Sequence, residues 1–264
     1  MIPVSIALAS FVEAIDYSEL SEVAAAIQLQ VTRDFGPIWA VEATVSAFPN
    51  VEAIPPGYWP VVVRDDLTGT SSYHKDFNKQ PFAIIAFDKH WKLAVSHEVL
   101  EMLADPWGSR LIPGESLKDG QGSVLYLLEV CDPCQDPDLG YLVNGITMSN
   151  FYTPKFFDPV SSIGVRYDFR GAISRPRQVL NNGYISWLVP GEKSAWQKTV
   201  IDGKEDIQAI SYFGDKTMSL SLRERIDLKS GRRARLSKSE VAKPVASHRN
   251  SAAFMEAMER AIRM

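Results

Sequence analysis

The stretch AVSHEVLEMLADPWG, residues 94–108, constrains the fold of this chain more than any other segment. Hydrophobic side chains cover most of its circumference, which predicts a buried α-helix that begins near Trp91 and ends at Asp105, before Pro106. Four polar side chains interrupt this helix and, at about 100° per residue, share one sector of its surface: His97, Glu98, Glu101 and Asp105. Because buried carboxylates need protons, cationic partners or a metal, the rest of the fold must supply one of these.

The spacing of His97 and Glu101 suits a divalent metal ion. Residues at i and i+4 lie on the same side of a helix, so this imidazole and carboxylate can bind one ion together. Glu98 follows His97 directly and can reach the open coordination position, where a carboxylate takes a proton from water and delivers it to a leaving amine. The five residues HEVLE therefore predict metal-dependent hydrolysis, with zinc as the expected metal and Glu98 as the general base.

A third protein ligand must come from another segment. Glu129 and Asp132 interrupt an apolar stretch downstream of the helix, and both are candidates. Asp105 lies two turns beyond His97, where it is better placed to orient a ligand or cap the helix end than to bind the ion. His74 lies in a predicted loop before a predicted strand and is a candidate for stabilising an oxyanion or for serving as an alternative ligand.

Four other residues are further candidates for the site. Tyr152 and Tyr167 could donate to an oxyanion, but no motif supports either one. Cys131 and Cys134 have the spacing of a metal or redox pair, yet no second pair accompanies them, so the sequence favours two buried thiols.

The polar sector of the helix also has an interpretation without a metal. A buried network of histidine and carboxylates, or an ion pair with an arginine such as Arg110 or Arg166, would satisfy the same charges. Both interpretations remain open at the level of the sequence.

The motif and the order of elements before it resemble the zincin metallopeptidases, over roughly residues 16–135. HEVLE is similar to the family's His-Glu-x-x-His, except that Glu101 stands at the second histidine. The resemblance implies a zincin-like domain that hydrolyses a peptide or protein substrate. In gluzincins, the most similar subgroup, a downstream glutamate completes the site, a role that Glu129 would take, whereas Asp132 would act as in aspartate-using zincins. The change at Glu101 also admits a catalytically inactive, metal-stabilised binding or interaction module.

The order of predicted elements is α+β. Helical spacing over 16–34 is followed by three β-branched, aromatic stretches that predict strands, at 41–48, 59–66 and 81–88. A small mixed sheet packed on the buried active-site helix is the expected architecture. Turn signals from about 160 to 200 predict an irregular C-terminal half. We therefore expect a catalytic domain over 1–200 and a basic, partly flexible tail over 201–264 that ends in an amphipathic helix.

Composition limits the partners and the location. A net charge of −4 argues against nucleic-acid binding, and no apolar run approaches the length of a membrane span. The N-terminus lacks the basic region of a secretory signal, and two cysteines make no disulfide framework, so a cytoplasmic location is expected. The basic segment 223–249 predicts either a solvated linker or a contact arm for an acidic partner or nucleic acid.

Overall fold

The computed structural model describes residues 3–67, 72–77, 79–211 and 220–230. The N-terminal elements are β1 (Val4–Ser10), α1 (Tyr17–Leu29), a π-helical turn (Gln30–Phe35), α2 (Gly36–Trp39), β2 (Ala43–Ala47), β3 (Trp59–Arg64), β4 (Tyr73–Phe77), β5 (Gln80–Ala86) and α3 (Trp91–Ala104). The C-terminal elements are β6 (Leu111–Glu115), β7 (Ser123–Leu127), β8 (Tyr141–Val143), β9 (Ile146–Met148), β10 (Tyr184–Leu188), β11 (Ser194–Ile201), β12 (Lys204–Ser211) and α4 (Leu222–Ser230). Short 3₁₀ turns lie at Val51–Ala53, Asp132–Cys134, Pro137–Leu139 and Pro154–Phe157. The α+β class is confirmed.

The N-terminal half is built on a mixed five-stranded sheet in the order β2-β1-β3-β5-β4. Four strands are parallel, and β4 is antiparallel to β5 at one edge. β1 pairs with the central strand β3 so that Leu8 lies opposite Val61. The three predicted strands correspond to β2, β3 and β5, and the predicted helix to α1 and the turn after it. The strands β1 and β4 were not predicted.

The helix α3 follows β5 directly and is buried on nearly all sides, as predicted. Twelve of its 14 residues are buried, and it packs against β3, β4 and β5. Ser96 fixes its position, since the hydroxyl donates to Gln30 Oε1 at 2.7 Å and accepts from the Ser149 backbone N–H at 2.9 Å. The helix ends at Ala104 and Asp105 follows as its C-cap, where Pro106 disfavours a further turn.

The prediction of an irregular stretch over about 160–200 is confirmed for 160–183, which contains no helix or named strand, but was wrong for β10 and β11. Together with strands on either side, these two form a second sheet of five antiparallel strands, in the order β12-β11-β10-β7-β6. The strands of this sheet are short or carry many polar side chains, and β6 contains a proline and a glycine. Residues typical of turns therefore obscure the alternation of apolar and polar side chains that would predict these strands. The predicted hairpin at β8 and β9 is confirmed.

The boundary predicted at residue 200 falls inside the β11–β12 hairpin. β12 pairs with β11 along its whole length, and α4 lies beyond it, so these parts of the predicted tail belong to the fold. The remaining parts of the predicted tail, 212–219 and 231–264, lie outside the described residues. No helix in the described ranges is long and apolar enough to cross a membrane.

Truncation of Leu100 on α3 tests the burial of this helix. Leu100 is fully buried, so Leu100→Ala should lower the free energy of unfolding by about 2–5 kcal/mol through lost apolar contact and the cavity left behind. Leu142 on β8 is 70% exposed and is the matched control, for which Leu142→Ala should change the value by less than about 0.5 kcal/mol. Urea denaturation measures both, and equal losses would contradict the burial described for α3.

Candidate metal centre

Six buried polar side chains from three segments meet beside α3. The helix contributes His97, Glu98 and Glu101, β4 contributes His74, and the segment after β7 contributes Glu129 and Asp132. Three overlapping groups of these and neighbouring residues have ligand atoms close enough to share a metal ion, and Glu101 belongs to all three. The structure thus brings the predicted catalytic and metal-ligating residues to one place.

His97 lies near two of these carboxylates, those of Glu101 and Asp132. His97 Nε2 lies 3.3 Å from Glu101 Oε2 and 3.4 Å from Asp132 Oδ1. Tetrahedral ligands at the usual 2.0–2.2 Å from zinc lie about 3.4 Å from one another, so these separations match donors that share an ion. The carboxylates of Glu101 and Asp132 could instead form ion pairs with a protonated His97, an arrangement that requires no metal.

Backbone amides hold Glu101 so that one oxygen faces the centre. Its Oε1 accepts from the N–H groups of Cys131 and Asp132, at 3.2 and 3.3 Å. Its Oε2 accepts no hydrogen bond within the described residues and points toward His97. The turn that carries Asp132 is therefore fixed to the same carboxylate that Asp132 faces.

His74 lies on the opposite side of Glu101. The sequence placed it in a loop, which was wrong: it lies on the edge strand β4, opposite Ala83 of β5, and is fully buried. Its Nδ1 is 3.3 Å from Glu98 Oε2 and 3.9 Å from Glu101 Oε2, while Nε2 is 3.1 Å from the carbonyl oxygen of Asp105. This ring therefore bridges the end of α3 and the Glu98 carboxylate.

Asp105 stabilises the loop after α3 and belongs to none of the three possible ligand groups. Its Oδ2 accepts from the backbone N–H of Arg110 at 2.8 Å, and its carbonyl oxygen fixes the His74 ring. The Asp105 carboxylate is buried, and Oδ1 lacks a hydrogen-bond partner in the described part of the chain.

An arginine from α4 lies among the carboxylates. Arg223 Nη1 lies 3.0 Å from Glu101 Oε2, 3.1 Å from Glu129 Oε2 and 3.5 Å from Glu98 Oε2. It also contacts both ring nitrogens of His74. Arg223 is buried, so the start of the segment 223–249 is not solvated as predicted, whereas 231–249 lies outside the described residues.

Neither arginine named from the sequence occupies this place. The Arg110 guanidinium donates to the Ala104 carbonyl at 2.9 Å, and Arg166 forms no ion pair with these carboxylates in the ranges described. The sequence signal for Arg223 was weak: Leu222 and Ile226 have helical i, i+4 spacing, but they lie in a charged stretch that looked solvated.

Negative charge is in excess at this centre. Four carboxylates face one guanidinium and two imidazoles, and Glu129 Oε1 and Asp132 Oδ2 have no hydrogen-bond partner within the described chain. Burial raises the pKa of Glu129 well above its usual range, and burial with the nearby Glu101 raises the pKa of Asp132. Burial opposes the charged form of His97, but Glu101 and Asp132 outweigh it and raise the pKa of His97 well above its usual range. The donor set and these unpaired oxygens fit an additional cation.

The two candidate tyrosines and the two cysteines differ in their surroundings. The Tyr152 hydroxyl is buried beside Glu129 and has no hydrogen-bond partner among the described residues, and burial followed by this carboxylate raises its pKa. The Tyr167 hydroxyl instead accepts from the Ser162 backbone N–H at 2.8 Å. Cys131 and Cys134 are both free and buried, and burial raises the pKa of each thiol.

Comparison with known proteins yields no match to a protein-family model, a curated protein or a solved structure. The functional argument therefore depends on the chemistry of the residues themselves.

Removal of the Tyr152 hydroxyl tests its unpaired state. Because this hydroxyl has no hydrogen-bond partner among the described residues, Tyr152→Phe should leave the free energy of unfolding unchanged or slightly higher in metal-free protein. Tyr141 is the contrast, since its hydroxyl donates to Asp34 Oδ2 and accepts from Gln30 Nε2, each at 3.0 Å. Tyr141→Phe should cost about 1–3 kcal/mol by urea denaturation. Equal costs would mean that Tyr152 has a partner.

Proposed function

We propose that this chain is a divalent-metal-dependent hydrolase that cleaves peptides or related amides. The observation that supports this best is that His97 Nε2 lies 3.3 Å from Glu101 Oε2 and 3.4 Å from Asp132 Oδ1, separations suited to donors of one ion, in a buried site with more carboxyl groups than cationic side chains. One nitrogen and two oxygen donors form an acceptable zinc site, although the oxygens also suit harder divalent ions.

In this proposal His97, Glu101 and Asp132 hold the metal. A metal bound there would supply Lewis acidity and lower the pKa of a coordinated water toward neutrality. Asp132 is better supported as third ligand than Glu129, because Asp132 faces His97 whereas Glu129 Oε2 pairs with Arg223. Glu129 is a further candidate, because its carboxylate and those of Glu101 and Asp132 have oxygens within 4.8 Å of one another.

Glu98 serves as the general base. Burial opposes its ionisation, but Arg223 and His74 outweigh burial and lower the pKa of Glu98, so the carboxylate is ionised and able to accept a proton. It would take this proton from the attacking water and pass it to the leaving nitrogen. His74 would position Glu98 through the contact between Nδ1 and Oε2, at 3.3 Å.

A zincin-like fold is part of this proposal. It is supported by the mixed sheet and by α3, which follows the last strand of that sheet and carries the HEVLE residues. The antiparallel edge strand β4 brings His74 to the same site, where a strand bordering the substrate is expected from the resemblance.

A metal-stabilised module without catalysis is the second candidate. Arg223 favours it, because Nη1 lies 3.5 Å from the proposed base Glu98 and 3.0 Å from Glu101. Such a module would gain thermal stability from metal and would hydrolyse no amide.

Loss of a ligand should weaken metal binding. Purified without chelator and without a nickel tag, the chain should retain one divalent ion, measured by elemental analysis. His97→Ala and Asp132→Asn should each weaken zinc affinity by at least about tenfold in calorimetric titration, because each removes a donor. The exposed His90 is the matched control, and His90→Ala should bind like the parent chain. Binding that ignores His97 and Asp132 would contradict the assigned centre.

Loss of the base should separate binding from turnover. Glu98→Gln keeps the size of the side chain but cannot accept the proton, so cleavage of a mixed peptide library should fall by about 10²–10⁴-fold, scored by mass spectrometry. The metal content should stay at the parental value. Full cleavage by this variant would exclude Glu98 as the base, whereas metal retention with no cleavage by the parent chain would favour the non-catalytic module.

A further inference from the structure

We propose that Arg223 is an internal cation that competes with the metal ion for Glu101, so that α4 acts as a latch on the metal centre. This inference rests on the proposed metal site and concerns how that site is regulated. The docked helix corresponds to the closed state, and metal binding favours its release.

One carboxylate oxygen is the point of competition. Glu101 Oε2 lies 3.3 Å from His97 Nε2 on one side and 3.0 Å from Arg223 Nη1 on the other. A guanidinium stays protonated in proteins, so Arg223 is a permanent positive charge. A divalent ion on the same oxygen would place two cations in one buried site, where repulsion is stronger than in water.

The same guanidinium also engages the proposed base. Nη1 is 3.5 Å from Glu98 Oε2 and contacts His74, the residue that positions Glu98. Docked Arg223 thereby occupies an oxygen that the proposed base would need to accept a proton. Release of Arg223 would free both the metal ligand and the base.

The helix that carries Arg223 is attached by a separate apolar cluster and by a few polar contacts. Leu222 and Ile226 pack in a cluster with Leu127, Ala195 and Ile210, and this cluster is separate from the main core. The backbone N–H of Arg223 donates to the Gly108 carbonyl at 2.9 Å, and Lys75 Nζ pairs with Glu224 Oε1 at 3.5 Å. The helix can therefore leave this surface without separating the strands of either sheet.

Competition of this kind is reciprocal. If docking of α4 weakens metal binding by some factor, metal binding must weaken docking by the same factor. A change that loosens the helix at its apolar anchor should then tighten metal binding, even though it leaves every polar group of the centre in place. This distinguishes a latch from a fixed charge.

Zinc titration of the full-length chain by calorimetry tests the latch. Arg223→Gln removes the competing charge, and Ile226→Ala removes an apolar anchor that is 1% exposed. Both should bind zinc on the order of tenfold more tightly than the parent chain. Arg225→Gln is the matched control on the same helix, because the Arg225 Nε donates to the Ser221 carbonyl. This variant should bind zinc like the parent.

Hydrogen exchange supplies the reciprocal measurement. Zinc should raise the exchange rate of the α4 amides in the parent chain and should leave the α3 amides protected. If Arg223→Gln does not fold, Ile226→Ala and the exchange experiment decide the matter.

Three results would overturn the latch. Parental zinc affinity in both variants, with binding still dependent on His97, would leave the metal centre intact and remove the latch. Tighter binding by Arg223→Gln alone, with no change in Ile226→Ala or in exchange, would make Arg223 a fixed charge. A failure of every variant to bind zinc would overturn the latch and the proposed function together.

Discussion

The burial of four carboxylates around one helix is the constraint on which this structure depends. An ionised carboxylate in a low-dielectric interior is costly unless donors or cations surround it. The chain meets this requirement with backbone amides on Glu101 Oε1, with imidazoles on two sides and with the guanidinium of Arg223. Even so, Glu129 Oε1 and Asp132 Oδ2 have no hydrogen-bond partner within the described residues, so the compensation is incomplete.

The fold concentrates these charges through its connections rather than through one motif. α3 leaves β5 directly and runs back across the parallel strands, which sets the polar sector of the helix beside the edge strand β4. The antiparallel direction of β4 brings His74 to that sector. The second sheet then contributes the turn after β7, whose amide groups bind Glu101. The centre therefore exists only once both sheets are assembled.

The parts that the sequence predicts are those set by local periodicity. The ends of α3, its burial and the grouping of His97, Glu98 and Glu101 follow from helical geometry alone. The strand β4 was missed because YHKDF has several polar side chains and lies at an edge, so it lacks the apolar run of a buried strand. Arg223 was missed because its partners are chosen by tertiary packing, and a charged stretch with two apolar residues is typical of a solvated helix.

A buried cluster of anions requires positive charge but does not determine its source. A guanidinium supplies one delocalised charge with a fixed fork of donors, whereas a divalent ion supplies two charges at a point and draws its ligands to within about 2.0–2.2 Å. His97 Nε2 lies within 3.4 Å of Glu101 Oε2 and of Asp132 Oδ1, whereas Arg223 Nη1 lies 3.0 Å from the same Glu101 oxygen. In the proposed centre, His97 and Asp132 would supply donors to a metal, while Arg223 supplies an ion pair. The shared oxygen, Glu101 Oε2, would couple the two, so in the proposed latch the affinity for a metal is set by how firmly α4 holds its arginine in place.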